Sequence, residues 1–262
     1  MYTYDRRATR PIPVDKGQAL KLAKRIVKEL PDQLRFRPED MQGPIDHARG
    51  YRSGWVMAVG TYLTNDVQGA RVEVPVKVQF QTLEDWGSRR WVAGGSVTTR
   101  FRGRSPGDKL AMNLYINAGA RVQDLLDNLD KVEDELFSVI IHEATHLMDV
   151  LRHEYNSKDV SDGGDGTASY YNAPTEVRAF MQQTADEVLQ EADKLGKRSG
   201  GWILGSEPSG EMIDSLLEQS GTWDRIRKNL TPANGRLILR GVTRALQDEW
   251  PKLRAKYKEE DP

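Results

Sequence analysis

Apolar residues recur along the chain with two periods, and the alternation between them predicts the elements. Between residues 15 and 30, Ala19, Leu20, Leu22, Ala23, Ile26, Val27 and Leu30 fall at helical spacing behind Asp15, a good N-cap, and Pro31 is expected to end the run. From Trp55 the period changes to two. Trp55, Met57 and Val59, then Val72, Val74, Val76, Val78 and Phe80, alternate with polar positions and predict strands near 51–63 and 70–82. Pro75 marks the second of these as an edge strand or a bulged one. Further strands fit Trp91–Val97, continuing toward Phe101, and Leu110–Ile116. The predicted fold class is α+β, with a small, mostly antiparallel sheet and additional N- and C-terminal helices.

The helical period returns from Val122 to about His153, with a break expected near Asp130 and Asp134. Residues 155–173 are rich in Gly, Ser, Asp and Asn and read as a loop. Pro174 then opens a helix at its first turn that runs to Leu195. Later helices are expected near 211–219 and 232–249, the second with Thr231 as N-cap.

The 262 residues carry 38 Lys+Arg against 39 Asp+Glu, a formal charge of -1, and no cysteine. Disulfides, thiolate zinc sites, iron–sulfur clusters and a cysteine nucleophile are thereby excluded, and any metal must be held by nitrogen and oxygen. The near-neutral balance advertises no polyanionic partner, so nucleic acid is not expected, and the basic cluster Arg100, Arg102 and Arg104 reads as a solvated loop rather than a phosphate contact. No run reaches the roughly 18 apolar residues of a membrane span, and the charged first thirty residues, broken by Pro11 and Pro13, lack a signal-peptide core. The expected location is cytoplasmic, with no membrane partner. Oligomeric state is not legible.

The chemistry concentrates in His142-Glu143-Ala144-Thr145-His146, inside the apolar segment FSVIIHEATHLMDVL. On a helix, residues four apart are one turn apart and about 40° around the axis, so both imidazoles project toward a common point as metal ligands. Glu143 is rotated away from them, which suits a carboxylate that takes a proton from water rather than binding the metal. Burying two imidazoles and a carboxylate without a metal would leave costly polar groups to satisfy. A third ligand is required. His153 lies about 10 Å further along the same helix, too far to share an ion. The metzincin pattern would need a ligand where this chain has Arg152 and a glycine where it has Asp149. A carboxylate from a second helix remains, and Glu176, behind Pro174, is the expected donor, with Glu191 as a competitor. Asp162–Gly166 lacks the spaced acids of a calcium loop and reads as a solvated turn, and Asp46-His47 reads as structural.

HEATHLMD followed by YYNAPTEVRAF resembles the gluzincin branch of the zinc metallopeptidases, in particular the minimal zincins of compact bacterial and phage-associated peptidases, over roughly residues 110–190. The resemblance implies a zincin-like fold with the sheet packed on the H-E-x-x-H helix and Leu110–Ile116 as the edge strand that binds substrate. It implies zinc as cofactor on His142, His146 and Glu176, with Glu143 as general base. Tyr170 or Tyr171 would donate to the oxyanion, and Asp149 would orient an imidazole. The domain organisation expected is an N-terminal helical segment over 1–45, a zincin-like catalytic domain over 46–200 and a helical extension over 201–262. The function implied is hydrolysis of a protein or peptide substrate by a zinc metallopeptidase; the alternative is a zincin-scaffold protein that binds metal without cleaving and docks a protein partner. The thermolysin-type N-E-x-x-S-D motif is missing.

Overall fold

Asp15 starts the first helix as its sequence predicts: its Oδ1 accepts from the Gln18 N–H at 2.9 Å, satisfying one of the donors a helix start leaves unpaired. The computed structural model describes residues 14–35, 57–66, 68–81, 91–99, 110–117, 122–152, 168–201, 203–205 and 207–258. These divide into two compact units, one from residues 14 to 152 and the other from residues 168 to 258.

The first unit contains α1 (Lys16–Arg35), β1 (Met57–Asn65), β2 (Arg71–Gln81), β3 (Val92–Thr99), β4 (Leu110–Asn117), α2 (Val122–Asp127) and α3 (Leu129–Arg152). Pro31 does not end α1, which runs on to Arg35. Leu30 and Leu34, on either side of it, are buried, and that apolar anchorage offsets the hydrogen bond the proline removes. The strands form one sheet in the order β1-β2-β4-β3. Both β1/β2 and β3/β4 are antiparallel, whereas β2/β4 is parallel, so the sheet is mixed and mostly antiparallel. Pro75 pairs with Thr61 just before the first β2 residue paired with β4, and the bulge lies in β1 between Ala58 and Gly60, opposite Lys77 and Val76. Leu110–Ile116 is not the expected edge strand: β4 is paired on both sides and is an interior strand. Among the described strands the edges are β1 and β3.

One face of the sheet is apolar, with Val74, Val76, Met112, Leu114 and Ile116 fully buried against Ile26 and Leu30 of α1 and Leu136 and Ile140 of α3. The expected sheet on the H-E-x-x-H helix is therefore present. The break before that helix falls at Asn128, not at Asp130 or Asp134. There the Asn128 amide donates to Asp124 O at 2.8 Å while its own carbonyl accepts from Val132 N, so one residue ends α2 and starts α3.

The second unit is helical: α4 (Ala168–Tyr171), α5 (Pro174–Ser199), α6 (Gly210–Glu218), α7 (Gly221–Ile226) and α8 (Pro232–Lys258). Pro174 stands in the first turn of α5, and Gly200, at φ 57°, closes the helix in the left-handed conformation that glycine adopts without strain. The short α7 has no counterpart in the periodicity. It exists because Ser220 caps it and because Glu187 of α5 accepts from Ser220 Oγ, Thr222 N and Thr222 Oγ1 at 2.7, 3.0 and 2.6 Å. α8 continues through Pro251, past its expected end, since Trp250 and Tyr257 are buried and bonded to Gly205 O and Asp193 O at 3.0 Å each. No helix among the described residues is long and apolar enough to cross a membrane.

Candidate functional site

α3 is amphipathic in an unusual sense: its sheet-facing stripe of Val132, Leu136, Ile140, Ala144 and Leu147 is apolar, yet its next turns bury polar groups as well. His142, Glu143 and Asp149 are 7, 4 and 4% exposed, and His146 is half-buried. Polar side chains withdrawn from water to this degree require partners or a ligand. The four-residue spacing does what the sequence predicts: the Nε2 atoms of His142 and His146 lie 3.0 Å apart, with the rings edge to face at a centroid distance of 4.7 Å. Thr145, between them in sequence, turns its hydroxyl back to Ile141 O at 2.9 Å and leaves the imidazole face to the histidines.

Two features of β3 complete this part of the site, and neither is visible in the H-E-x-x-H signature. Glu135, two turns before His142, accepts from the N–H groups of Trp91 and Val92 at 3.0 and 2.8 Å and so fixes the start of β3 against α3. Gly95 then passes so close to Glu143 that a Cβ added there would lie 2.5 Å from its Cγ and 2.9 Å from its Cδ and Oε1. The strand's backbone therefore forms one wall of the space the Glu143 carboxylate occupies. The adjacent glycines Gly94 and Gly95 inside a strand were the signal for this approach.

No protein-family model, curated protein or solved structure matches the chain. Its function must be argued from its own side chains.

The remaining expected site residues lie in the second unit. Glu176 is half-buried in the first turn of α5, where Ala173 at φ −62° and ψ 136° precedes Pro174 and provides no side-chain cap. Glu191 lies fifteen residues on, about 22 Å along the same helix, and pairs with Lys194 at 3.0 Å. Tyr171 is 7% exposed and stacks on Phe180 at 5.7 Å, while Tyr170 is half-buried and meets Phe180 edge-on at 6.1 Å. His153, Asp162–Gly166, Arg100, Arg102, Arg104 and Asp46-His47 lie outside the described residues.

Asn172 joins Tyr171 to the start of α5 and is a positioning residue that the sequence did not reveal. Its Nδ2 donates to Ala168 O and Asn229 O at 2.6 and 2.8 Å, and its Oδ1 accepts from Thr231 N and Asn234 Nδ2 at 2.7 and 2.9 Å. This amide ties the α4–α5 joint to the start of α8. Asn172→Ala removes all four bonds, and we expect a loss of roughly 1–3 kcal/mol in urea unfolding with an unchanged m-value.

Proposed function

We propose that the protein is a zinc-dependent peptidase with a zincin-like fold of the gluzincin kind. The observation that carries this reading is the 3.0 Å convergence of two imidazole Nε2 atoms on one buried helix, with the Glu143 carboxylate next in sequence to the first. Tetrahedral zinc with bonds of 2.0–2.1 Å sets ligand nitrogens about 3.3 Å apart, so the pair is already near that separation. His142, His146 and Glu176 would hold the ion, since two nitrogens with one carboxylate oxygen suit zinc. When bound, the ion supplies a Lewis acid for the substrate carbonyl and lowers the pKa of water toward neutrality.

Glu143 takes the proton of the attacking water on a carboxylate oxygen and returns it to the leaving nitrogen. A purely structural metal clip needs no such carboxylate, and this favours a hydrolase over the non-cleaving docking protein. Gly95 leaves room for that carboxylate, and Glu135 holds the strand that lines it. Asp149, buried on the same helix, would orient an imidazole. Of the two tyrosines we assign the oxyanion donor to Tyr170, since the Tyr171 ring is the more deeply buried of the two and is committed to its stack on Phe180.

Substrate would add to the sheet at β3. At the other edge, the Gln18 side chain already bonds both the N–H and the C=O of Leu63 in β1, and β4 has no free side. Strand addition orients a peptide through its backbone with little side-chain selection. Digestion of a broad peptide library with and without chelator tests the reading. We expect zinc-dependent cleavage, reduced in Tyr170→Phe more than in Tyr171→Phe; a zinc-loaded protein that cleaves nothing would leave only metal binding.

A further inference from the structure

α8 buries Ile238, Val242, Leu246 and Trp250, one every four residues, in the core of its unit. At 100° per residue, the opposite side of the helix carries Arg236, Arg240 and Arg244, all exposed. Four-residue steps advance about 6 Å along the axis, so the three guanidinium groups form a slowly winding row about 12 Å long. Like charges four apart work against a helix, and among the described residues no ion pair relieves them. The ion pairs that α8 makes among the described residues use Lys252 with Glu249 and Lys256 with Asp193, further along. Asp248, one turn beyond Arg244, is not paired with it. The row ends at Asp248 and is flanked by the neutral Thr243 and Gln247. The cationic face of α1 differs, because Glu29 pairs with Arg25 at 2.9 Å.

We propose that this row binds the phosphodiester backbone of a nucleic-acid duplex, independently of base sequence. Guanidinium groups present forks that match phosphate oxygens. Arg240 spends its Nε on Arg236 O at 3.3 Å, which leaves its terminal nitrogens for a ligand. Three guanidinium groups about 6 Å apart can meet about three phosphates of the duplex. A single strand is disfavoured because its binding sites use exposed aromatic rings for base stacking, whereas Trp250 and Tyr257, the aromatics of α8, are both buried. The near-zero net charge makes this contact local, so it will be weak and sensitive to salt. It does not depend on the peptidase reading.

Fluorescence anisotropy of the intact chain with a labelled duplex of about 20 base pairs tests the proposal. Three phosphate contacts predict a log–log salt slope near −2.7, an affinity loss of about 40-fold between roughly 50 and 200 mM salt. The Arg236→Gln, Arg240→Gln, Arg244→Gln triple variant should lose this binding with unchanged circular dichroism, and each single change should lower the slope by about 0.9. The triple exchange to lysine should keep the slope. Equal binding by wild type and the glutamine variant overturns the proposal, as does tighter binding of a single strand or of polyglutamate than of the duplex.

Discussion

Glu143→Gln will lower kcat/KM by roughly 10²–10⁴-fold and leave zinc bound, because the amide keeps the shape of the side chain and cannot accept the proton. Glu143 is 4% exposed and sits against the β3 backbone at Gly95, so the substituted side chain has little room to find another pose. Steady-state kinetics on a cleaved peptide, with metal content measured on the same preparation, checks both halves of the expectation. Retained hydrolysis would remove the general-base role; loss of zinc together with activity would mean that Glu143 supports the ligands instead.

Gly95→Ala should produce a similar kinetic loss from the other side of the contact. The new Cβ would stand 2.5 Å from Glu143 Cγ, nearer than side-chain carbons approach in folded proteins, so the carboxylate or the strand must move. A displacement near 1 Å costs about 100-fold in rate where a catalytic group must be oriented. Overpacking adds a stability loss of about 1–3 kcal/mol. The histidine pair lies on α3 itself, so zinc binding should persist. Near-normal turnover in Gly95→Ala would show that this wall does not set the position of Glu143.

Local signals carried most of the architecture. Alternating valines in β2, the Asp15 cap and Pro174 each act within one or two turns of their own position, and the structure follows them. Where tertiary contacts outweigh local preference, the reading from sequence stopped short. Pro31 and Pro251 sit inside helices because buried residues on both sides hold the helix together. The interior position of β4 depends on a parallel pairing with β2, which no periodicity encodes. The same division applies to the site. Two histidines four residues apart are legible because one helix turn brings them together. Glu135 meets Trp91 across 44 residues of sequence, and Gly95 meets Glu143 across a comparable distance, so the glycine pair can mark a close approach but only the fold discloses what approaches.

The shared metal ion is the claim on which the peptidase reading rests, and metal stoichiometry tests it most directly. Protein purified without added metal, then titrated with zinc and measured by mass spectrometry, should hold about one ion per chain. His146→Ala and Glu176→Ala should each weaken that binding by at least tenfold, and Glu143→Gln should leave it unchanged. A wild-type chain that takes up no stoichiometric metal, or a Glu176→Ala variant that binds zinc as tightly as wild type, would contradict the account.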